Sequence, residues 1–276
     1  MDCFSSGSSA KGKLRRFERM TPERIEEIQR LVKNGVSLRG VARETGVSYS
    51  AVYRHAKQFS KRQTFVDFSV FSEHELGYIV GFFVGDGSRI AETRSGHYGA
   101  RFAFDAKRDA EIASLLQRLF RKAGKSVTLY SEGTWLAMKV YSKNLLVFLQ
   151  GFVRYAKCDG EVHKVLVNSL NWDRAFALGF VGGLIDADGH VYKNKRHAGH
   201  FGIAITTVNP TLTEQLVDLL NRLGLKPKVS EVKPCRTSFS RKMTYILRLG
   251  KAEFGKICGE MICVKHEECG CDAKRF

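Results

Sequence analysis

Two segments of this chain repeat each other at a fixed spacing, and this repeat constrains the fold more than any other feature. Residues 76–87 read LGYIVGFFVGDG and residues 178–189 read LGFVGGLIDADG, at a constant offset of 102 residues. The repeat predicts two similar halves related by a pseudo-twofold axis. The identical pairs are Leu76/Leu178, Gly77/Gly179, Gly81/Gly183, Asp86/Asp188 and Gly87/Gly189.

The segments that follow the two motifs also correspond. Each motif precedes a pair of extended segments, an amphipathic helix, a second extended pair and a closing helix, so each half reads αββαββα. This order predicts an α+β fold in which each half has one antiparallel sheet. The matching segments are 88–106 and 190–208, then 109–123 and 210–223, then 125–141 and 226–249.

The part of the chain before the repeat predicts a separate helical unit. Residues 21–57 read as three short helices: Thr21 and Pro22 suit the start of the first, Ser37 caps the second, and Ser48 caps the third. Two short helices joined across a glycine turn predict a helix-turn-helix. The expected domains are a basic arm (1–20), the helix-turn-helix (21–57), a linker (58–70) and two halves (71–170 and 171–276).

Small residues recur every fourth position in both motif helices. Gly77, Gly81 and Gly85 form one series, and Gly179, Gly183 and Ala187 form the other. This spacing leaves one face of each helix nearly bare. Because glycine costs about 1 kcal/mol in a helix interior, we expect close packing of the two helices to offset the repeated glycines.

This packing would bring two carboxylates together at the helix ends. Asp86 and Asp188 each end a motif helix, where the helix dipole is unfavourable for an anion, and the two acids repel each other. A hard divalent cation such as Mg²⁺ resolves both problems, and could stabilise the attacking water and the leaving oxygen of a phosphodiester hydrolysis. Asp186 is not duplicated, since Val84 takes its place, so we expect it to have a supporting role.

The segment 181–189, VGGLIDADG, nearly spells a family signature, and residues 71 to about 270 resemble LAGLIDADG homing endonucleases of the two-motif, monomeric type. The resemblance implies a duplicated fold with antiparallel saddle-shaped sheets and a Mg²⁺-dependent double-strand break that leaves short 3′ overhangs. It also implies two or three divalent ions shared by Asp86 and Asp188, with the backbone carbonyls of Gly85 and Ala187 as further ligands. A basic residue near each acid is typical of the family: Lys265 is the candidate in the second half, and Lys157 and Lys164 both remain open in the first.

The charge of the chain indicates a polyanionic partner. Lysine and arginine number 45 against 28 acidic residues, which gives a net charge of +17 and a pI near 9.7. Folding does not need this excess, whereas binding to double-stranded DNA with release of counterions explains it. We find no apolar run long enough for a membrane span and no secretion signal, so we expect an intracellular monomer without a small-molecule substrate. The spacing of the seven cysteines favours thiols over a zinc site.

The expected DNA contacts come from the sheets and from the third helix. A two-stranded ribbon fits the major groove, and two such halves end to end would cover roughly 18–20 base pairs. The sequence does not say which alternation of strand residues faces the DNA. The sheet candidates are Arg89, Arg94, Lys107, Arg108, His190, Tyr192, Lys193 and Lys195, and those of the third helix are Ser48, Tyr49, Ser50, Tyr53 and Arg54.

Two other functions fit parts of this pattern. A transcription regulator can combine a degenerate LAGLIDADG domain with a helix-turn-helix, but such regulators lose the acids, and both Asp86 and Asp188 are present. An RNA maturase that assists intron splicing could share the fold and even the site, and the sequence does not exclude it. An intein is disfavoured because we find no flanking splicing domain.

Overall fold

A computed structural model describes residues 20–33, 36, 38–57, 65–92, 97–125, 127–158, 160–193, 201–234 and 242–265. The chain divides into two compact units, Met1–Arg62 and Gln63–Phe276. Within the described residues, no helix is both long and apolar enough to cross a membrane.

The smaller unit consists of short helices around a small apolar core. Helix α1 spans Pro22–Lys33, α2 spans Leu38–Thr45 and α3 spans Tyr49–Ala56. The hydroxyl of Ser48 accepts a hydrogen bond of 3.3 Å from Ala51 N and caps α3, as predicted. The predicted cap Ser37 lies outside the described residues. The buried core residues are Ile28, Val32, Val41, Val52 and Ala56.

The larger unit confirms the predicted αββαββα order in both halves. The first half contains α4 (Glu73–Asp86), β1 (Gly87–Glu92), β2 (His97–Asp105), α5 (Ala110–Lys122), β3 (Leu129–Glu132), β4 (Trp135–Tyr141) and α6 (Lys143–Phe152). A hairpin that the sequence analysis did not predict follows, formed by β5 (Val153–Cys158) and β6 (Glu161–Leu166). The second half contains α7 (Arg174–Asp188), β7 (Gly189–Lys193), β8 (Phe201–Thr207), α8 (Pro210–Arg222), β9 (Lys228–Val232), β10 (Thr244–Gly250) and α9 (Lys251–Gly255).

Each half builds one four-stranded antiparallel sheet. The strand orders are β1-β2-β4-β3 and β7-β8-β10-β9, so the two sheets have the same topology. Alternation along β2 separates the two faces of the first sheet: Phe102 and Phe104 are fully buried, whereas Arg101 and Ala103 leave on the other side. One face of the sheet therefore packs on the helices and the opposite face carries polar side chains.

The helices α4 and α7 pack with their backbones in close approach, as the glycine spacing predicts. A Cβ atom built on Gly81 would lie closer than 3.0 Å to backbone atoms of Phe180, and one on Gly183 would lie closer than 3.0 Å to Tyr78. The 102-residue offset relates these two contacts. One turn earlier, a Cβ atom on Gly77 would come equally close to the backbone of Phe176, and one on Gly179 would come equally close to the backbone of His74.

Part of the predicted linker packs on the larger unit. Val66 is fully buried in its core. The Asn144 side chain accepts a hydrogen bond from Val66 N at 3.0 Å and donates one to Val66 O at 2.7 Å. A 3₁₀ turn at Phe68–Val70 then leads into α4, which begins with a capping box between Ser72 and Glu75.

Candidate active site

The two repeated acids lie together at the C-terminal ends of α4 and α7. Asp86 and Asp188 line one cleft of about 890 Å³, and Lys265 and Arg108 line the same cleft. A Cβ atom on Gly85 would lie 3.0 Å from Oδ2 of Asp188, so the carboxylate of one helix reaches the end of the other. The close helix packing is the cause of this proximity.

The protein environment favours the neutral form of both acids. Crowding by protein atoms raises the pKa of Asp188 to about 6, although the residue keeps exposed surface in the cleft; repulsion by Asp86 adds to the increase, and Lys164 and Lys265 oppose it. Burial also raises the pKa of Asp86, again against the attraction of the two lysines. The site therefore holds its carboxylates at a desolvation cost that the two lysines offset only in part.

Lys164 lies at the end of α4. Its Nζ donates to the backbone carbonyls of Phe83 at 2.8 Å, Val84 at 2.8 Å, Gly85 at 3.1 Å and Gly87 at 2.6 Å. Of these residues, Val84 and Gly85 belong to the last turn of α4, where a helix leaves carbonyls without intrahelical partners. Burial lowers the pKa of Lys164 to about 8, while the nearby acids Asp188 and Asp86 act in the opposite direction.

Lys265 occupies the matching place at the end of α7. Its Nζ donates to the carbonyls of Ala187 at 3.3 Å and Gly189 at 3.1 Å. The structure thus puts one lysine at each helix end. Of the two first-half candidates, Lys164 is the one that reaches the acids, whereas Lys157 is exposed on β5. The carbonyls of Gly85 and Ala187, the further metal ligands expected from the resemblance, accept hydrogen bonds from these lysines.

The unduplicated acid of the second motif is fully buried and points away from the cleft. Asp186 accepts hydrogen bonds from the backbone amides of Val264 at 2.7 Å and Lys265 at 2.8 Å. It also accepts from the hydroxyl of Tyr78 at 2.8 Å and from the thiol of Cys263 at 3.2 Å. The supporting role expected for Asp186 therefore consists of fastening the segment that carries Lys265.

Arg108 and Lys107, two of the expected DNA contacts, differ in position. Both follow β2 in a turn whose backbone amides donate to Oδ1 of Asp105, at 2.8 Å from Lys107 and 3.0 Å from Arg108. Arg108 lines the cleft with the two acids, whereas Lys107 is exposed and is not among the described lining residues.

The polar face of the first sheet carries basic side chains that sequence analysis did not name. Arg101 and Lys139 are directly opposite each other on β2 and β4. Glu132 pairs with both, at 2.5 Å from Arg101 and 3.2 Å from Lys139, and so offsets their mutual repulsion. The signal was available in the alternation of buried and polar residues along β2.

The second sheet has an equivalent polar row. His190, Ala204, Arg248 and Lys228 lie opposite one another across β7, β8, β10 and β9, and Tyr192 shares the face of His190. Arg248 donates to Ser230 Oγ at 2.7 Å.

Arg89 differs from His190 in its direction. It lies opposite Ala100, which shares one face of β2 with the buried Phe102 and Phe104, so its side chain leaves the sheet on the helix side. Its guanidinium lies 4.8 Å from the ring of Tyr155. The candidates Arg94 and Lys195 and the side chain of Lys193 lie outside the described residues.

The third helix of the smaller unit presents an aromatic and basic surface. Tyr49, Ser50 and Arg54 are exposed, and the rings of Tyr49 and Tyr53 are 6.1 Å apart. The ammonium of Lys57 lies 4.9 Å from the ring of Tyr53. Ser48, also predicted to contact DNA, uses its hydroxyl to cap the helix.

The cap residue of α8 and one residue within this helix, neither of which the sequence analysis assigned to the site, hold β6 in place. Asn209 Nδ2 donates to the backbone carbonyl of Lys164 at 2.7 Å. Gln215 accepts from Leu166 N at 2.8 Å and donates to Leu166 O at 2.9 Å. Asn209 before Pro210 is a recognisable helix cap, but nothing in the sequence indicates that these residues reach the first half.

The chain is similar to one known protein family and to several solved structures. The model of the LAGLIDADG-like domain family matches residues 175–261. A comparison with curated proteins finds no match. Among solved structures, I-DmoI in complex with DNA and Ca is similar at 17% identity and a TM-score of 0.48, over 72% of this chain and 96% of that one. I-WcaI bound to its DNA recognition sequence is similar at 14% identity and a TM-score of 0.48, over 72% and 86%.

The N-terminal LAGLIDADG domain of DUF199/WhiA is similar at 13% identity and a TM-score of 0.45, over 73% of this chain and 89% of that one. The family match and the glycine-rich helix pair identify the fold of the larger unit. Residues 175–261 match the LAGLIDADG-like domain family, and the duplicated motif and sheet topology give residues 73–166 the same architecture as that segment.

Proposed function

We propose that this chain is a homing-type endonuclease that makes a double-strand break in a long site of intracellular DNA, with a divalent metal ion. The observation that carries the proposal is the paired site: Asp86 and Asp188 meet at the ends of α4 and α7, and one lysine donates to the backbone carbonyls at each helix end. The two strands of a DNA duplex are also related by twofold symmetry. A pseudo-twofold protein can therefore place one acid and one lysine near each scissile phosphate.

The donor set at the helix ends fits Mg²⁺. The protein would supply the two carboxylates and the carbonyls of Gly85 and Ala187. Within the described residues, no group of three or more His, Cys, Asp or Glu side chains could hold a metal ion. Mg²⁺ typically binds one or two carboxylates and takes its remaining ligands from water and phosphate. When bound, such an ion would activate water and stabilise the leaving oxygen of the phosphodiester.

The raised pKa values of the acids point to the same conclusion. Two carboxylates at the negative ends of two helices are unfavourable in the free protein, and a cation between them removes this cost. Binding of a cation would also lower the pKa of Asp188 back toward that of an ordinary carboxyl.

The two lysines would place positive charge, and a proton that can be exchanged, beside the acids. Lys164 and Lys265 neutralise the helix ends, and their ammonium groups contact the carbonyls of Gly85 and Ala187, the residues that precede the two acids. With a pKa of about 8, Lys164 can hold or give up a proton near neutral pH, which suits a group that orients or activates water.

The polar sheet faces and the small helical unit would supply DNA binding. Arg101 and Lys139 on one sheet and Arg248 and Lys228 on the other give both halves a basic row, and the net charge of +17 agrees with contacts to many phosphates. Helix α3 would read a flanking major groove with Tyr49, Ser50 and Arg54, and so lengthen the site beyond the roughly 20 base pairs covered by the sheets.

The decisive experiment removes each acid separately. Cleaved sites would first be selected from a genomic DNA library with Mg²⁺ present. Asp86→Asn and Asp188→Asn should each abolish double-strand cleavage of that site and leave DNA binding within a few-fold of wild type. Asp218, an exposed acid on α8, offers the matched control, and Asp218→Asn should cut normally.

Three outcomes would contradict the proposal. Full double-strand cutting by either acid variant would remove the acids from the chemistry. Sequence-specific binding without any cutting in Mg²⁺ or Mn²⁺ would favour the transcription regulator. Tight binding to a structured RNA in preference to the selected duplex would favour the maturase.

A further inference from the structure

We propose that Asp186 is a positioning residue for Lys265 and that Asn209 is the positioning residue for Lys164, so that each governs the cutting of one DNA strand. The inference rests on the proposed function and adds a difference between the two halves. This difference lies in the hydrogen bonds that hold the two lysines. The hydrogen bonds of one half are not repeated in the other half at the 102-residue offset.

Asp186 fastens Lys265 through the backbone. The segment that carries Lys265 belongs to no strand, so it lacks the ladder of hydrogen bonds that would fix a sheet residue. The two carboxylate oxygens of Asp186 hold this backbone instead of a strand ladder: Oδ2 accepts from Val264 N at 2.7 Å, and Oδ1 accepts from Lys265 N at 2.8 Å. Tyr78 on α4 donates to the same carboxylate at 2.8 Å and holds its orientation.

Lys164 is fastened by a different arrangement. It lies on β6, opposite Tyr155 of β5, so the hairpin ladder already fixes part of its backbone. Asn209 adds a hydrogen bond to the Lys164 carbonyl at 2.7 Å. Val84 stands at the position equivalent to Asp186, and Lys107 at the position equivalent to Asn209. Neither hydrogen-bonding side chain is therefore repeated in the other half.

The pseudo-twofold arrangement turns this difference into a strand preference. Among the hydrogen bonds of the described residues, Lys164 donates to the end of α4 and Lys265 to the end of α7. Since each helix end serves one scissile phosphate, a change that displaces one lysine should slow one cut and leave the other nearly unaffected. A displacement of about 1 Å at a reacting centre can cost about 100-fold in rate.

Two variants of nearly unchanged shape test the inference in the full-length protein. Asp186→Asn puts an amide group opposite a backbone N–H and so breaks at least one of the two backbone hydrogen bonds. Asn209→Asp removes the donor to the Lys164 carbonyl but keeps the oxygen that caps α8 by accepting from Leu212 N at 3.2 Å. Single-turnover cleavage would be followed on the wild-type site, with a different fluorophore on each strand.

The expected result is an opposite bias in the two variants. Asp186→Asn should slow one strand about 10- to 100-fold relative to the other and accumulate nicked duplex, and Asn209→Asp should slow the other strand. Tyr78→Phe, which removes only one support of Asp186, should give a weaker bias in the same direction as Asp186→Asn. Thermal unfolding of each variant would show that the fold is intact.

Equal slowing of both strands, or the same slow strand in all variants, would overturn the inference, because a general loss of structure or affinity does not distinguish strands. If Asp186→Asn does not fold, the opposite bias of Tyr78→Phe and Asn209→Asp decides the question. A wild-type chain that cuts neither strand would instead contradict the proposed function itself.

Discussion

Replacement of Gly81 by alanine should destabilise the larger unit, even though alanine is the better helix former. The added Cβ would lie closer than 3.0 Å to the backbone of Phe180 and to Leu184 N on the facing helix. These are backbone atoms that no rotamer change can move away. The two helices must therefore separate at this contact.

The magnitude follows from two opposing terms. Alanine gains about 1 kcal/mol of helix propensity over glycine, whereas forcing an extra carbon into a packed core costs about 1–3 kcal/mol or more. Because the obstruction is backbone, we expect the upper part of that range and a net loss of about 1–2 kcal/mol in the free energy of unfolding. For a unit of this size, Tm changes by about 2–4 °C per kcal/mol, so Gly81→Ala should lower Tm by about 2–8 °C.

A matched control separates packing from propensity. Gly151 lies in α6, is exposed, and has no neighbouring atom within 4 Å of a Cβ built upon it. Gly151→Ala should therefore stabilise the unit by about 0.5–1 kcal/mol. The two tryptophans, Trp135 and Trp172, both lie in the larger unit, so tryptophan fluorescence during thermal unfolding reports on that unit alone. Equal stability of Gly81→Ala and Gly151→Ala would refute the close-packing argument.

Three further predictions concern pH, DNA length and salt. In buffer with EDTA, Asp188→Asn should raise Tm at pH 7 and change it little at pH 4. The reason is that a carboxyl whose pKa is raised to about 6 in the folded state contributes stability below its unfolded pKa and loses this contribution as the pH rises through 6. An unchanged Tm at pH 7 would contradict the crowding described for this acid. A chain that starts at Gln63 keeps the Val66–Asn144 contacts and should still cut, with a footprint shortened on one side only, whereas an unchanged footprint would give the helical unit another task. The logarithm of affinity should fall steeply and linearly with the logarithm of salt concentration, and a flat response would argue against a duplex partner.

The sequence predicted well those elements that a local periodic pattern indicates or that the repeat shows in both halves. The repeat defined both sets of helices and strands, and the four-residue spacing of glycines predicted the helix pair, because each is a periodic signal that appears in both halves. The position of the acids followed from that packing, since Asp86 and Asp188 end the same two helices.

What could not be predicted depends on contacts between distant segments. The choice between Lys157 and Lys164 is made by how the β5–β6 hairpin docks, although Asp159-Gly160 was a usable signal for the hairpin itself. The hydrogen bonds from Asn209 to β6 and from Asp186 to the segment of Lys265 join residues 45 and 79 positions apart, and no local pattern encodes such distances.

The hydrogen bonds that cross between the halves bear on how this chain can be recombined with its relatives. The second half holds β6 of the first through Asn209 and Gln215, and the first half supports Asp186 of the second through Tyr78. A chimera that exchanged whole halves at the repeat boundary would separate each of these pairs and inherit two incomplete sites. An exchange that carries residues 209 and 215 together with β6, and residue 78 together with 186, would keep each site with the residues that complete it.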